Sequence, residues 1–504
     1  MNKNNGYQSL EKHFRKIRNL QHLGDIASWD EAVMMPAGGG ESRAEALTEL
    51  RVLLNEMLSD PRLQDWLAEA QTSVGDGKSW QAANLREMRR EVDQANALGS
   101  DLVEAKTRAF MLCEQAWREK RARNDWVGML PLLTEVVNLV RREAEQRSAQ
   151  SGLGLYDSLM DLYEPGMRSA RVDELFAELR QFLPPFIEEV MEKQRQRSFE
   201  PPPGPFAIES QKALGLEVMK ILGFDFHRGR LDVSHHPFCG GVPHDVRLTT
   251  RYHEEDMSES LMSVLHETGH ANYDQGLPQE WLYQPVGASR SMGIHESQSL
   301  LFEMQIGRSH HFLQYLSPIL KQTLTGSEAQ GDWSADNLYR WLTRVQPDYI
   351  RVQADEVTYP AHVILRYELE KALVEGDLEV VDLPDAWDER MRKYLGLSTK
   401  GNYKDGPLQD VHWMGGAFGY FPTYTLGAMN AAQIFQCILR ECEGVLEDLA
   451  RGDLSRVRGW LSEKIWSQGS YFEVNDLMRH ATGEDLNPKH FERHLTYRYL
   501  EKFR

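Results

Sequence analysis

Cysteine is scarce in this sequence, which has four in 504 residues: Cys113, Cys239, Cys437 and Cys442. Their spacing offers neither a CxxC pair nor the framework of a disulfide-rich protein. Scattered cysteines of this kind are typical of a reducing compartment. The N-terminal stretch MNKNNGYQSLEKHFRK also lacks the apolar core and cleavage site of a signal peptide. We therefore expect a cytoplasmic protein.

Basic residues are outnumbered by acidic ones, with 57 Lys and Arg against 76 Asp and Glu and a formal net charge of −19. This balance argues against nucleic acid or an anionic membrane surface as the main partner. The segment 414–439 has no charged residue, but it contains four glycines, Pro422 and several amides. A membrane-spanning helix would be more uniformly apolar. We expect this segment to be a buried wall inside the protein, with no membrane partner.

Apolar residues recur every three or four positions over most of the chain, which predicts a mainly α fold. We expect a joint at the Pro184-Pro185 pair and a bend at Pro360 in a long helix that starts near Asn337. The stretches GRLDVSHHPFCGG and HDVRLTTRYHEE instead alternate apolar and polar residues, which predicts a small antiparallel sheet. The expected organisation is one domain over 1–504, with a helical sub-lobe over about 1–200.

The stretch LMSVLHETGHANYDQG, residues 261–276, contains His266, Glu267 and His270 in the order His-Glu-x-x-His. Its apolar residues have helical spacing, and Asp256 or Ser258 would cap the helix. Positions four apart lie on one helix face, so the two imidazoles can hold one metal ion. Glu267 is placed to reach a bound water without binding the ion itself.

A hydrolytic zinc site needs a third protein ligand and an open position for water. Glu296 lies 26 residues beyond His270 in MGIHESQSLLFEMQIG, which also has helical spacing. The competitors are His295 and Glu303, and Glu303 is two turns further along the same face, where it would support a ligand. We favour Glu296. The pair His235 and His236 is a poor alternative, because adjacent residues of a strand face opposite ways.

Six short blocks follow one another along the chain: HPF (236–238), DVRLT (245–249), HETGH (266–270), HESQ (295–298), IRVQAD (350–355) and GPLQDVHW (406–413). In these blocks and their order the chain resembles a known family, the metallocarboxypeptidases typified by thermostable carboxypeptidase Taq. The stretches WDEAVMMPAGGGESRAEAL and FGYFPTYTLG are similar as well. The resemblance therefore runs nearly from end to end.

The resemblance implies a large helical two-lobed body with a deep active-site groove, and a homodimer. It also implies that His412 and Tyr420 contact the oxyanion and the substrate backbone, and Tyr424 is a further substrate contact. A carboxypeptidase must bind a free terminal carboxylate, a task that suits the planar fork of arginine. The candidates are Arg351, which we favour, and Arg247. An Arg351–Asp355 pair that only supports a helix is the alternative.

The function expected from these observations is a zinc carboxypeptidase that hydrolyses single C-terminal residues from peptides, with Glu267 as general base. Zn²⁺ is the expected cofactor, with Co²⁺ as an alternative. A zinc endo-oligopeptidase and a dipeptidyl carboxypeptidase share the same chemistry. A non-catalytic metal-binding protein is the alternative from another class, but a purely structural site would not need Glu267.

Overall fold

The computed structural model describes residues 6–75, 77–326 and 330–501. Helices dominate, so the mainly α prediction is confirmed. In the first part of the chain the described elements are helices: α1 (Gly6–Val33), α2 (Gly40–Leu58), α3 (Arg62–Val74), α4 (Trp80–Ala95), α5 (Ser100–Ala122), α6 (Trp126–Ser151), α7 (Leu155–Met160), α8 (Ser169–Arg195) and α9 (Ile208–Ile221).

The joint expected at Pro184-Pro185 was wrong, because α8 continues through both prolines. Leu183, Phe186 and Ile187 beside them are buried in the core. The free energy gained by burying these side chains offsets the cost of the backbone hydrogen bonds that are lost at the two prolines.

A small sheet follows α9, with strands β1 (Gly229–Val233), β2 (Cys239–Val242) and β3 (Asp245–Thr250). The strand order is β1-β3-β2, so β3 is central. The predicted antiparallel sheet is therefore corrected to a mixed one: β2 pairs with β3 antiparallel, whereas β1 pairs with β3 parallel. The exposed pair His235 and His236 lies in the connection from β1 to β2.

The remainder of the chain is helical again. It contains α10 (Met257–Gly276), α11 (Met292–Leu300), a π-helix (Leu301–Gly307), α12 (His310–Thr325), α13 (Ala335–Leu342), α14 (Tyr359–Glu375), α15 (Leu383–Leu395), α16 (Pro422–Glu441), α17 (Val445–Leu449), α18 (Ser455–Lys464), α19 (Val474–Thr482), α20 (Lys489–Thr496) and a terminal π-helix (Tyr497–Glu501). Pro360 does not bend a long helix as expected. It lies in the first turn of α14, where a missing N–H costs no intrahelical bond.

Helix α16 connects the two largest hydrophobic cores. Leu426 and Met429 pack in the core formed with α6, α8, α14 and α15, whereas Ile434 and Phe435 pack in the core around α9, α10 and α12. The prediction that 414–439 is interior is confirmed, since most of its side chains are buried. Over the described residues, no helix is both long and apolar enough to cross a membrane. Helix α11 packs between α10 and α16, and the candidate site is built there.

Candidate metal centre and active site

Helix α10 presents the two predicted histidines from successive turns. Asp256 is its N-cap and accepts a hydrogen bond from the Ser258 backbone N–H at 2.8 Å. Such a cap satisfies one of the N–H groups that the first turn leaves free. The helix begins at Met257, so His266 and His270 lie in its rigid middle, on one face.

Helix α11 brings Glu296 to these histidines. Its carboxylate Oε2 lies 3.8 Å from His266 Nε2 and 3.5 Å from His270 Nε2. One ligand atom from each of the three residues lies within 4.8 Å of the other two, and among the described residues this is the group of His, Cys, Asp and Glu side chains suited to a metal ion. Two imidazoles and one carboxylate are the donor set of a hydrolytic zinc site, so these residues fit the predicted ion.

The outer nitrogen of each histidine faces a second polar group. His266 Nδ1 lies 3.0 Å from Glu303 Oε2, and Arg308 donates to Glu303 Oε1 at 2.8 Å. His270 Nδ1 lies 2.7 Å from His295 Nδ1. When Nε2 binds an ion, Nδ1 carries the proton and donates to such a partner, which fixes the ring. Glu303 and His295, the competing candidates, therefore lie where they would support the predicted ligands His266 and His270.

Asp274 completes the support of His270, and sequence reasoning missed it. Its Oδ1 lies 3.0 Å from His295 Nε2, so His295 can accept from His270 and donate to Asp274. Asp274 is four residues beyond His270 on α10, a spacing that signals a shared helix face. That signal was available from the sequence.

Carboxylates surround His266 and make the centre suited to a cation. Burial opposes a charged imidazole, but Glu296 and Glu303 outweigh it and raise the pKa of His266 to about 10. Burial works the other way at Glu267, where it raises the pKa of the carboxyl to about 7. A divalent ion would balance the negative potential that these groups create.

The predicted oxyanion residues form an aromatic cluster. The rings of His412 and Tyr420 stack with centroids 5.8 Å apart and planes inclined by 19°. The Tyr424 hydroxyl lies 3.4 Å from His412 Nε2. Burial raises the pKa of the Tyr420 and Tyr424 hydroxyls, and Glu296 adds to both shifts because its charge is nearby. Tyr424 lies on α16, which packs against α11 and its Glu296, so the structure places this cluster beside the predicted metal ligands.

Arg351 joins the same cluster. It is buried in a short 3-10 turn, and its guanidinium carbon lies 4.8 Å from the centroid of the Tyr424 ring. It donates to Asp410 at 2.9 and 3.3 Å and to the Tyr359 hydroxyl at 2.8 Å. A guanidinium has five N–H groups, so these contacts leave donors for a substrate.

The alternative pair of Arg351 with Asp355 does not form. Asp355 instead accepts hydrogen bonds from the backbone N–H groups of Gln346, Val357 and Thr358. The residues that position Arg351 come from other parts of the chain. The most important is Asp410, which also accepts a hydrogen bond from Arg366 at 2.7 Å.

Arg247 belongs to a different cluster. It lies on β3 and forms two hydrogen bonds with Asp245, both of 2.9 Å. Its guanidinium carbon lies 4.3 Å from the ring centroid of Trp29 on α1. A carboxylate therefore uses part of its planar fork, as Asp410 does for Arg351. The difference lies in the neighbours, because Arg247 packs on Trp29 whereas Arg351 packs on Tyr424.

Comparison with known proteins agrees with this geometry. A profile of the family described as Carboxypeptidase Taq (M32) metallopeptidase matches residues 9–499. The chain is 39% identical over 503 residues to thermostable carboxypeptidase 1 of Thermus thermophilus, covering 98% of each sequence. It is 34% identical over 498 residues to carboxypeptidase 1 of Bacillus subtilis, covering 97% of each.

Solved structures with the same fold include a protein titled metallocarboxypeptidase 1 of Trypanosoma cruzi. It matches with a TM-score of 0.96 at 45% identity, covering 98% of this chain and 99% of that one. An M32 carboxypeptidase of Deinococcus radiodurans matches with a TM-score of 0.92 at 33% identity, covering 98% of both.

Proposed function

Since this chain belongs to the carboxypeptidase Taq (M32) family of metallopeptidases, we propose that it removes single C-terminal amino acids from peptides at the centre formed by His266, His270 and Glu296. The chain is a metallocarboxypeptidase, a hydrolase of peptide bonds. The observation that carries the site assignment is the convergence of these three ligand atoms beside Glu267.

Each protein group then has a separate task. His266, His270 and Glu296 would hold a divalent ion, which when bound would supply an acidified water and a Lewis acid for the scissile carbonyl. Glu267 would accept a proton from the attacking water and return it to the leaving amine. His412 and Tyr420 stabilise the oxyanion and hold the substrate backbone, with Tyr424 beside them. Their stacked arrangement near Glu296 supports this role.

Arg351 is the proposed anchor for the terminal carboxylate of the substrate. It is the arginine that packs on Tyr424, and it keeps N–H groups beyond those used by Asp410 and Tyr359. Asp410 and Tyr359 hold the guanidinium in one orientation before substrate arrives, which reduces the entropy lost on binding. Arg247, matched by Asp245, is the second candidate.

The proposal extends to the metal, the location and the assembly. We propose Zn²⁺, with Co²⁺ as the alternative, because imidazole and carboxylate ligands suit both. A cytoplasmic location is supported by four free cysteines. A homodimer and a single catalytic domain over 1–504 are proposed from the family resemblance alone.

One digest tests the main proposal. A peptide of defined sequence is incubated with the enzyme, with and without a chelator, and the products are identified by mass. We expect a ladder that loses one C-terminal residue at a time and disappears when the metal is removed. Internal cleavage or release of dipeptides would favour the endo-oligopeptidase or the dipeptidyl carboxypeptidase, neither of which the relatives favour.

A further inference from the structure

Glu370 of α14 is a fully buried carboxylate that accepts three hydrogen bonds. Its Oε2 accepts from the indole N–H of Trp413 at 2.7 Å. Its Oε1 accepts from the backbone N–H of Gly419 at 2.6 Å and from the hydroxyl of Tyr156 at 2.8 Å. A donor that loses its acceptor in a buried site is costly, so these three hydrogen bonds constrain the groups that donate them.

Two of these donors are direct neighbours of the proposed oxyanion residues. Trp413 follows His412 in the sequence, and Gly419 precedes Tyr420. The segment 413–419 leaves the ring of His412 and returns to stack Tyr420 on it. The carboxylate of Glu370 therefore bonds to both ends of the segment 413–419. His412 lies directly before this segment and Tyr420 directly after it.

The backbone at Gly419 has little freedom to move away. Its φ is +88°, and a Cβ there would lie 2.6 Å from the backbone nitrogen of Met160 on α7. Only glycine fits this conformation and this close approach. The Tyr156 hydroxyl, also from α7, reaches the same oxygen of Glu370 that Gly419 uses.

Helix α14 also bonds to Asp410, which lies two residues before His412. Arg366, one turn before Glu370, donates to Asp410 at 2.7 Å, and its guanidinium carbon lies 5.1 Å from the ring centroid of Trp413. His412 thus lies between Asp410 and Trp413, both of which bond to α14. Helix α14 therefore bonds to residues on both sides of His412 and to the residue before Tyr420.

We propose that Glu370 is a positioning residue for the reaction, which acts by fixing the distance between His412 and Tyr420. This inference rests on the roles proposed above for His412 and Tyr420. Glu370 touches neither of these side chains through its carboxylate, so it acts through Trp413 and Gly419. A displacement of about 1 Å between groups that act together in the transition state lowers the rate by about 100-fold.

The first test compares two glutamates on α14. Glu370→Gln replaces one acceptor oxygen with an NH₂ group that faces a donor, so Trp413 or Gly419 must move. Glu368→Gln is the matched control, because Glu368 bonds to Arg180, Arg390 and Tyr394, away from this segment. We expect kcat to fall about 10- to 100-fold in Glu370→Gln, with KM within about twofold and full metal content. Glu368→Gln should keep wild-type kcat.

The second test asks whether the effect passes through His412. In a His412→Ala background, Glu370→Gln should lower kcat much less than in wild type, because residues that act as a unit are not additive. Equal losses in both backgrounds would overturn the inference, as would a Glu370→Gln enzyme with wild-type kcat. If His412→Ala and Tyr420→Phe themselves leave kcat unchanged, the role proposed for those residues fails instead.

If Glu370→Gln does not fold, a second pair of variants tests the same proposal. Trp413→Phe removes the donor beside His412, whereas Tyr156→Phe removes the donor that lies outside the segment. Trp413→Phe should lower kcat at least about fivefold more than Tyr156→Phe, again without a change in metal content. Equal losses from the two variants would show that Glu370 contributes to stability alone.

Discussion

Gly427 of α16 leaves space for the side chain of Glu296 on α11. A Cβ at Gly427 would lie 2.7 Å from Cγ and 2.8 Å from Cβ of Glu296. The clash would fall close to the backbone of α11, so the side chain cannot simply rotate away. The closeness of these two helices sets the position of Glu296, the proposed third metal ligand.

Gly427→Ala should therefore weaken metal binding, with a dissociation constant raised about tenfold or more, as for other changes that displace a ligand. The control is Gly459→Ala on α18, where a Cβ meets nothing within 4 Å. Metal affinity is measured by competition with a fluorescent chelator. Wild-type affinity in Gly427→Ala would show that α11 and α16 can separate without moving Glu296.

Removing any one ligand should lower bound metal well below one ion per chain. Three protein ligands leave little redundancy, so His266→Ala, His270→Ala and Glu296→Ala are expected to behave alike in metal analysis. If Glu296→Ala kept one tightly bound ion, Glu303 or another carboxylate would be the ligand. Glu303→Gln is expected to weaken binding only about 10- to 100-fold, since Glu303 acts through His266.

Glu267→Gln should separate chemistry from binding. The amide keeps the size of the side chain but cannot take a proton from water, so hydrolysis should fall by about 100-fold or more with metal content unchanged. Glu259→Gln, in the first turn of the same helix, is the control. Substantial turnover in the metal-replete Glu267→Gln enzyme would assign the base to another group.

Arg351 should carry the preference for a free C-terminus. An amidated peptide loses a charge-assisted contact to the N–H groups of Arg351 that Asp410 and Tyr359 do not use, so wild type should prefer the free acid by about 30-fold or more in kcat/KM. In Arg351→Ala that preference should largely disappear. The fold should persist, because Arg366 still pairs with Asp410. Arg247→Ala is the comparison: the arginine whose removal abolishes the discrimination is the anchor.

Glu164 should make stability depend on pH. Its carboxyl accepts from the Gly293 backbone N–H at 2.9 Å and is fully buried, and burial raises its pKa from 4.5 to about 7. The folded protein therefore holds the proton more tightly than the unfolded chain. The resulting stability is fully present below pH 4.5 and is lost as the pH rises to about 7.

Glu164→Gln removes this dependence. The free energy of unfolding of the variant minus that of wild type should increase by about 2–3 kcal/mol from pH 5 to pH 8, since one pKa unit is worth about 1.4 kcal/mol. Urea unfolding at pH 5 and at pH 8 measures this free energy, and Glu174→Gln, at an exposed position, is the control. A difference that does not change with pH would mean that Glu164 keeps its charge in the folded protein.

The sequence alone was enough to predict the features that depend on residues close together in the chain. The period of apolar residues is enough to predict α10, and the spacing of His266 and His270 puts both imidazoles on one face. The cap at Asp256 follows from the same stretch. Glu296 was predicted because a third ligand is chemically required and because its own helix was recognisable. These features need only interactions within a few turns.

Tertiary structure decided what depends on residues distant in sequence. Asp410 reaches Arg351 from 59 positions away, and Glu370 reaches Trp413 across 43. Pro184 and Pro185 stay within a helix because the side chains around them are buried, and β1 runs parallel to β3 because the chain returns beside it after β2. Local propensity is worth a few tenths of a kcal/mol for most residues and about 3 kcal/mol for a proline inside a helix, whereas each large side chain that is buried contributes about 2 kcal/mol. Packing of buried side chains therefore overrides the local preference of residues such as Pro184 and Pro185. The residues that pack together are far apart in the chain, so the sequence around one of them does not reveal the other.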